Sequence, residues 1–381
     1  MDSLAANGKL CKCFSRYLAQ RFWRCPPRLT NRHVASSTVV TMRGINVENV
    51  TRWLEANIEG AKAPFDFSLI AGGRSNLTFK VVDANGTKFV LRRPPMGQIL
   101  ATAHNMEREH RLISAVGKTG VPVPKALGLC TDVEVNDAHF YVMAWVDGEV
   151  LDSQQKAASL PQSVLAAAAD DLVDVLAELH AVDVDAVGLG DLARRDGYVE
   201  RQVKRWSTQW ENSKSREIPA IEEVARILAA HIPRQQGNGI AHGDYRFGNC
   251  LVDTQTGRIT GVLDWELCTL GDPLADVGYL GVYWAEPGEP ATRENDPTGV
   301  IGFPTYKHVV DRYAQRTGLD VSEVDYYVAF GNFRLAVICE GVYARYAGGV
   351  MGDDGSSVEW FRDAVPALAE TALNKLHQLY R

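Results

Sequence analysis

The hydrophobic pattern of this chain changes once, near Gly148, and that change limits the fold more than any other feature. Between residues 46 and 146, short β-rich runs alternate with tight turns such as Asn85-Gly86, a pattern typical of antiparallel sheet. Beyond Gly148, Ala/Leu-rich stretches have apolar residues at helical spacing. We therefore predict an α+β fold of two lobes, a small antiparallel β lobe followed by a larger, mainly α-helical lobe.

One helix is predicted to interrupt the β lobe. The stretch AHNMEREHRLISAVGKTG places Met106, Leu112 and Val116 on one side of a helix and ends with the glycines expected at a helix C-terminus. The helical pattern becomes continuous only after the strand-like run HFYVMAWV. We accordingly assign residues 44–146 to a nucleotide-binding N-lobe and 147–381 to a helical C-lobe with the catalytic loop and the acceptor site.

The first 43 residues form a basic leader with eight Lys or Arg and one acid, Asp2. We expect a disordered tail, or a non-native extension upstream of a start at Met42. An organelle transit peptide, which is also rich in Arg and poor in acids, is the alternative. The seven cysteines are odd in number and contain no C-x-x-C pair, which predicts reduced thiols and a cytoplasmic protein.

The charge of the remaining chain limits the partners. The leader carries a net +7 and the whole chain −7, so the rest carries −14. Binding to nucleic acid requires a basic surface, and we expect no nucleic-acid partner. No apolar run approaches the roughly 18 residues of a membrane span, and we expect no membrane association. The sequence does not indicate an oligomeric state.

The stretch IAHGDYRFGNCLVD carries the chemistry. His242, Asp244 and Asn249 stand in the pattern H-x-D-x-x-x-x-N, and Asp264 follows at the end of the strand ITGVLD. Transfer of a γ-phosphoryl group needs an aligned acceptor hydroxyl and negative charge neutralised by magnesium. We predict that Asp244 orients or accepts the acceptor proton and that Asn249 and Asp264 bind Mg²⁺. His242 would brace the loop.

HGDYRFGN, followed by VLDWE and GDPLADVGYL, resembles the aminoglycoside phosphotransferase and choline-kinase-like family, which has a protein-kinase-like fold. The resemblance extends from about residue 44 to the C-terminus. Within it, the segments GGRSNLTFKV, FVLRRPP, EREHRLISAV, VPVPKALGLC and ERQVKRWSTQWE are similar to the phosphotransferase domains fused to acyl-CoA dehydrogenases. The resemblance implies ATP as the phosphoryl donor, with GTP as the alternative, and Mg²⁺ as the cofactor.

Carried over position by position, the resemblance assigns individual roles. It implies that Asp244 is the catalytic residue and that Asn249 and Asp264 bind the metal. The helix glutamate of the family falls on Glu109. Asp276 matches a carboxylate that hydrogen-bonds the backbone of the catalytic loop, where rigidity is its contribution.

The strand FVLR departs from the family pattern at Arg92, where a lysine usually pairs with the helix glutamate. Arginine keeps the charge and binds phosphate bidentately, but it is longer and forked. Lys80 on the preceding strand is the alternative. The resemblance also implies a phosphate loop in AGGRSNLTF and an adenine-binding strand in MAWV. These two segments contribute the remaining candidate nucleotide-binding residues: Gly72, Gly73, Ser75, Asn76, Met143, Ala144, Trp145 and Val146.

The acceptor candidates are aromatic and charged residues of the helical lobe. Trp206 and Trp210 lie four residues apart on one helix and share a face, which favours core packing, with the wall of an acceptor site as the alternative role. Trp265 and Glu266 directly follow the predicted metal ligand. Arg334 lies on a long helix predicted within residues 322–347. The alternative role of this helix is to support the lobe.

Together these features predict an ATP- and Mg²⁺-dependent phosphotransferase acting on a hydroxyl of a small molecule. The segment between Asp264 and GDPLAD is too short for a peptide platform. The resemblance to the dehydrogenase-fused domains suggests a hydroxyacyl-CoA or another metabolic alcohol as acceptor. Two alternatives stay open. One is a catalytically weak or inactive kinase-like module that acts through a partner; the other is a metal-dependent hydrolase built on His242 and Asp244, which would need further ligands.

Overall fold

A computed structural model describes most of the chain beyond the basic leader. The described residues are 42–71, 76–96, 105–288, 296–348 and 358–380. Contacts divide them into two compact units. The β unit contains the described residues up to Lys118 together with Val123–Asp147, and the helical unit contains Thr119–Pro122 together with the described residues from Gly148 onward.

The β unit is built on a five-stranded antiparallel sheet. Its strands are β1 (Asp66–Ala71), β2 (Leu77–Val82), β3 (Lys88–Arg93), β4 (Ala126–Cys130) and β5 (Phe140–Ala144), in the spatial order β1-β2-β3-β5-β4. Its helices are α1 (Val47–Asn57), α2 (Met106–Val116) and the short α3 (Val133–Asn136). The predicted sheet and its interrupting helix are therefore both present.

The two faces of this sheet carry different residues, because side chains alternate along each strand. Phe79, Leu91 and Val142 belong to one face and pack into a hydrophobic core with Leu54 of α1. The opposite face carries three neighbouring polar residues in register. Thr78 of β2 pairs with Arg92 of β3, and Arg92 pairs with Tyr141 of β5. This polar row presents its side chains toward α2, as the bonds to Glu109 described below show.

The helical unit contains eight described α-helices. They are α4 (Gln154–Ala158), α5 (Gln162–His180), α6 (Tyr198–Ser213), α7 (Pro219–Ala230), α8 (Leu274–Val282), α9 (Tyr306–Thr317), α10 (Val324–Ala347) and α11 (Val358–Leu379). Helix α10 is buried along most of its length and packs against α11, α8 and α6. The backbones of α8 and α10 are so close at Gly278 that a Cβ on this residue would lie 2.3 Å from Cβ of Tyr327.

Four short strands of the helical unit hold the motif loop. Strand β6 (Gly239–Ala241) pairs with β9 (Thr269–Gly271), and β7 (Cys250–Val252) pairs with β8 (Ile259–Val262), both antiparallel. The architecture confirms the predicted α+β class with a kinase-like division into sheet and helices. None of the helices in the described part of the chain is long and apolar enough to cross a membrane.

Candidate active site

The loop between β6 and β7 is held at its start by a buried carboxylate. Asp276 of α8 accepts hydrogen bonds from the backbone N–H groups of His242, at 2.6 Å, and Gly243, at 2.7 Å. Gly243 has a φ of +82°, and a Cβ there would lie 2.8 Å from the carbonyl oxygen of Leu267. Glycine alone avoids this clash and tolerates this backbone conformation. Asp276 thus occupies the bracing position that the resemblance implied.

A second layer of contacts fixes Asp276 itself. His180 Nε2 lies 3.2 Å from Oδ2 of Asp276, and His180 Nδ1 lies 2.6 Å from the hydroxyl of Tyr313. Burial alone would raise the pKa of Asp276, but the hydrogen bond and charge of His180, the charge of His242 and the Gly243 N–H together lower it below its ordinary value. Asp276 is therefore an anion that locks two backbone N–H groups of the loop.

His242 also braces the loop, as predicted. Its Nε2 lies 3.0 Å from the carbonyl oxygen of Leu263, next to the end of β8. Its Nδ1 accepts a hydrogen bond of 3.3 Å from the backbone N–H of Asp244. The ring is fully buried, so it joins two backbone segments and is not exposed to a substrate.

Asp244 and Asn249 are joined by short hydrogen bonds. Asn249 Nδ2 donates to Oδ2 of Asp244 at 2.6 Å and to the backbone oxygen of Asp244 at 2.8 Å. Arg246 Nε donates to Oδ1 of Asp244 at 3.3 Å. Because the amide nitrogen of Asn249 is turned toward Asp244, its oxygen Oδ1 is directed away from that carboxylate. The five-residue spacing of the motif therefore yields an oriented carboxylate and a separate amide oxygen.

Asp264 stands at the point where β8 ends, in an uncommon backbone conformation. Its φ and ψ are +64° and +68°, just before the 3₁₀ turn Trp265–Leu267. A non-glycine residue in the left-handed region is under strain of about 1 kcal/mol or more, which is tolerated where the structure fixes it. The chain is tied back to the loop here, since the N–H of Leu263 donates to the backbone oxygen of Asn249 at 2.8 Å.

The donor set fits a kinase-type magnesium ion. Asn249 and Asp264 supply amide and carboxylate oxygens, the ligands that Mg²⁺ prefers. In phosphotransferases of this type the remaining ligands come from phosphate oxygens and water, so one Asp and one Asn suffice. In the described part of the chain no three His, Cys, Asp or Glu residues form a metal-binding group. The additional ligands that a metal-dependent hydrolase would need are thus not found among these residues.

The polar row of the β unit converges on Glu109 of α2. Oε2 of Glu109 accepts from Nε of Arg92 at 2.9 Å and from the hydroxyl of Tyr141 at 3.1 Å, and Oε1 accepts from Nδ2 of Asn76 at 2.9 Å. Arg92 also lies 3.4 Å from Oγ1 of Thr78. The arginine therefore makes the ion pair with the helix glutamate for which the family usually has a lysine.

Comparison with known proteins decides the family. Residues 66–306 match the family model described as "Phosphotransferase enzyme family". The chain belongs to this phosphotransferase family. Mouse acyl-CoA dehydrogenase family member 10 is 34% identical over 287 residues, which are 74% of this chain and 27% of that protein. Chicken acyl-CoA dehydrogenase family member 11 is 33% identical over 316 residues, 80% of this chain and 39% of that protein. The chain spans less than half the length of these curated relatives.

Solved structures give the same assignment. A candidate aminoglycoside phosphotransferase from Ralstonia eutropha superposes with a TM-score of 0.73 at 33% identity, covering 87% of this chain and 98% of the other. The GDP complex of aminoglycoside 2'-phosphotransferase-IIIa has a TM-score of 0.57 at 16% identity, covering 86% and 99%, and shows the shared fold. These findings confirm the predicted family resemblance and the predicted enzyme class, a phosphotransferase.

The structure describes some of the other residues predicted to bind the nucleotide and not others. Gly72, Gly73 and Ser75 lie outside the described residues. Met143 and Ala144 end strand β5, and Val146 follows, half-buried. Trp145 lies below the ammonium groups of Lys80, at 5.2 Å, and Lys88, at 5.8 Å, and its indole N–H donates to Asp147 at 2.9 Å.

Arg93 is directed away from the polar row of Arg92, as strand alternation predicts. Its guanidinium donates to the backbone oxygens of Pro94, at 3.1 Å, Gly44, at 2.8 Å, and Asn136, at 3.2 Å. Burial lowers the pKa of Arg93, and the charge of Asp137 partly offsets that effect. Arg93 is therefore a structural residue of the β unit.

Trp265 and Trp210 are both buried, which contradicts the acceptor role predicted for Trp265 and agrees with the core packing favoured for Trp210. The side chain of Trp265 is 2% exposed, lies 4.9 Å from the ring of His242 and donates from its indole N–H to the oxygen of Val262 at 3.1 Å. Trp210 is 1% exposed. The left-handed conformation of Asp264 turns the chain so that Trp265 packs beneath the loop. Neither tryptophan is exposed to an acceptor, and both support the unit.

The remaining acceptor candidates lie in the 3₁₀ turn after Asp264 and on helices α6 and α10. Glu266 is half-buried in the 3₁₀ turn after Asp264. Trp206 is half-buried, and its ring lies 5.5 Å from the guanidinium of Arg334. Arg334 is 8% exposed on α10, so it belongs to the interior, and its surroundings are described below.

Sequence reasoning missed Arg246, although it stands inside the motif. Its guanidinium pairs with Asp244 and lies 4.9 Å from the ring centre of Tyr283. A pocket beside it is lined by Arg246, Phe247, Gly248, Leu280, Tyr283, Trp284 and Pro297. A cation two residues after the predicted catalytic residue Asp244 was the available signal, because alternate residues of a tight loop can approach the same carboxylate.

Proposed function

We propose that this phosphotransferase transfers the γ-phosphoryl group of ATP to a hydroxyl of a small molecule, with Mg²⁺ as cofactor. The observation that carries the proposal is the bonded pair of Asp244 and Asn249, with Asp264 tied to the same loop through Leu263. The pair combines a held carboxylate with oxygen ligands for a hard cation. That combination matches the needs of phosphoryl transfer, in which positioning and charge neutralisation supply most of the catalysis.

Asp244 is proposed to receive the proton of the acceptor. As the oxygen of the acceptor forms its bond to the γ-phosphorus, the bond between that phosphorus and the bridging oxygen breaks and ADP leaves. The acceptor proton passes to the carboxylate of Asp244. Asn249 and Arg246 hold that carboxylate in one orientation. Bound Mg²⁺ would neutralise the phosphate charge, with Asn249 Oδ1 and Asp264 as its protein ligands.

Arg92 is proposed to bind phosphate oxygens of the nucleotide. Its Nε is fixed by Glu109, which is 2% exposed and receives further hydrogen bonds from Asn76 and Tyr141. A guanidinium held in this way remains charged and presents donors in a planar fork that matches phosphate. ATP is the proposed donor, and GTP is the alternative that the first experiment separates from it.

The acceptor is proposed to be a metabolic alcohol, with a hydroxyacyl-CoA as one such compound. This part of the proposal rests on the two curated relatives named as acyl-CoA dehydrogenase family members. A polycationic acceptor is disfavoured by two cations of the helical unit, Arg246, which pairs with Asp244, and the buried Arg334.

Thermal melting with ATP, GTP or ADP, each with and without Mg²⁺, tests the nucleotide site. A ligand at about 100 times its Kd stabilises the folded state by about 2.7 kcal/mol. We expect a Mg²⁺-dependent rise in Tm that Asp264→Asn abolishes and that the exposed control Asp320→Asn retains. The absence of a shift with every nucleotide would refute the proposal.

Turnover separates an enzyme from an inactive nucleotide-binding module. Transfer of radiolabelled phosphate from [γ-³²P]ATP to a panel of alcohols should be measurable with the wild-type protein and lost in Asp244→Ala. Retained nucleotide binding without transfer to any alcohol would favour the module that acts through a partner.

A further inference from the structure

Among the described residues, the buried cation Arg334 has no ionic partner. It lies in the middle of α10, is 8% exposed, and its guanidinium lies 4.7 Å from the ring centre of Tyr279 and 5.5 Å from that of Trp206. Among the residues that the structure describes, no carboxylate pairs with Arg334, and its buried Nε makes no hydrogen bond. A buried charge without a counter-ion is costly, although the two aromatic rings repay part of that cost.

Other arginines of the helical unit show what a partnered guanidinium looks like here. Arg216 bonds Glu340, Arg312 bonds Asp174, and Arg246 bonds Asp244, each within 3.3 Å. All three are more exposed than Arg334. The most deeply buried of these four cations is thus the one without a carboxylate, which is the reverse of what protein stability alone would favour.

Arg334 remains charged in this setting. Burial by itself would lower its pKa, but the fields of Tyr279, Tyr198 and Asp244 outweigh burial and raise it. The negative charge of Asp244 is one cause of this rise in the pKa of Arg334. A chain of contacts connects the two positions, because Arg246 lies over Tyr283 and the hydroxyls of Tyr283 and Tyr279 are 3.4 Å apart.

A second unpartnered donor lies beside the guanidinium. The indole N–H of Trp206 is buried and makes no hydrogen bond among the described residues. Nearly all buried polar groups in native proteins have partners, and an unpaired group indicates a bound water, an ion or a functional role. Both Arg334 Nε and the indole N–H of Trp206 require an acceptor of hydrogen bonds, and the positive charge of the guanidinium favours an anionic one.

We propose that Arg334 binds an anionic group of the acceptor molecule, a carboxylate or a phosphate monoester, and thereby selects acceptors that carry a negative charge besides their hydroxyl. Trp206 assists through its indole N–H. This inference rests on the proposed phosphotransferase function and deepens it by naming a specificity-determining residue. A buried guanidinium attracts such acceptors and repels polycationic ones, since leaving either charge unpaired in the interior is costly.

Two matched pairs of acceptors test the proposal in the full chain. Each pair contains an anion and its neutral counterpart: 3-hydroxybutyrate with 3-hydroxybutyramide, and glycerol 3-phosphate with glycerol. Phosphoryl transfer from [γ-³²P]ATP gives kcat/KM, and calorimetric titration of the same compounds gives binding without turnover. The variants are Arg334→Gln and Arg334→Lys. Arg345→Gln, an exposed arginine on the same helix, controls for loss of one positive charge.

We expect the wild-type protein to bind at least one anion in preference to its neutral counterpart, by about tenfold or more. Arg334→Gln should remove that preference, Arg334→Lys should keep part of it, and Arg345→Gln should keep all of it. Selection of 3-hydroxybutyrate alone indicates a carboxylate acceptor, and selection of glycerol 3-phosphate alone indicates a phosphate monoester. Arg334→Met should not lower Tm, whereas a purely structural arginine would lower it.

The proposal is overturned if neither anion binds the wild-type protein, or if Arg334→Gln weakens the anionic and neutral members of a pair equally. These results are distinguishable from failure of the proposed function. If phosphate is transferred to glycerol but neither anion binds, the phosphotransferase function is supported and the proposed role of Arg334 is refuted. If anions bind in an Arg334-dependent manner without transfer to any alcohol, the binding site stands and the phosphotransferase function falls.

Discussion

The loop that carries Asp244 and the surroundings of Arg334 belong to the same unit, but they differ in whether their buried polar atoms have hydrogen-bond partners. In the loop, Asp276 accepts two backbone N–H groups and bonds His180, and both oxygens of Asp244 have donors. In the surroundings of Arg334, two buried donors, Nε of Arg334 and the indole N–H of Trp206, have no partner among the described residues. The loop is organised before any ligand arrives, whereas the Arg334 site is incomplete without one. Preorganisation serves the reaction, and the incomplete site serves recognition.

Removal of the carboxylate of Asp244, the proposed proton acceptor, should give the largest effect. Asp244→Asn keeps the shape of the side chain and removes its ability to accept a proton, so kcat should fall by about 10³-fold. Because the loop is organised by Asp276, the Mg²⁺-dependent rise in Tm with ADP should persist. Rapid-quench kinetics and melting curves measure the two effects. Unchanged kcat would refute the assignment of Asp244 as the proton acceptor.

Loss of the bracing carboxylate should affect both stability and turnover. Asp276→Asn replaces one acceptor oxygen by an N–H₂ group that faces an existing donor, so the free energy of unfolding should fall by about 3 kcal/mol. Urea denaturation measures this change, and Asp320→Asn, an exposed acid, is the control. If Asp276→Asn were as stable as the control, the loop would not depend on this carboxylate.

The same residue gives a pH dependence with a defined sign. The pKa of Asp276 is lower in the folded protein than in the unfolded chain, where an aspartate titrates near 3.9. Its contribution to the free energy of unfolding is therefore present above about pH 4 and is lost as the pH falls through the lower folded value. The difference in stability between wild type and Asp276→Asn should narrow below about pH 4. A difference that widens on acidification would contradict the assigned direction.

The sequence was sufficient to predict the loop but not the environment of Arg334. The spacing of Asp244 and Asn249 places both in one tight turn, so local geometry determines their contact. Arg334 meets residues of α6 and α8, and no pattern within α10 identifies those partners. The prediction that Trp265 contacts the acceptor was wrong for a related reason. Adjacency to Asp264 does not reveal the left-handed backbone conformation that turns the tryptophan inward.

Arg92 offers an intermediate test, since it is organised like the loop but is proposed to bind a ligand. Arg92→Gln should raise the KM for ATP about tenfold, because a charged donor to phosphate is lost. Arg92→Lys should restore part of the affinity, since lysine keeps the charge but not the fork. The exposed Arg52→Gln of α1 is the control in the same unit. An unchanged KM in Arg92→Gln would remove Arg92 from the nucleotide site.

The smallest expected effect compares a buried tryptophan whose indole N–H is bonded, Trp265, with a half-buried one, Trp206, whose buried indole N–H has no partner among the described residues. Trp265 donates to the oxygen of Val262, so Trp265→Phe should cost about 1 kcal/mol for the lost hydrogen bond in addition to lost packing. Trp206 has no hydrogen bond to lose, so Trp206→Phe should cost less in denaturation experiments. Its effect should appear in calorimetric titration as anion binding weakened several-fold. Because replacing an unpartnered donor removes a buried polar group, a larger stability loss in Trp206→Phe than in Trp265→Phe would show that the Arg334 site is already complete in the free protein.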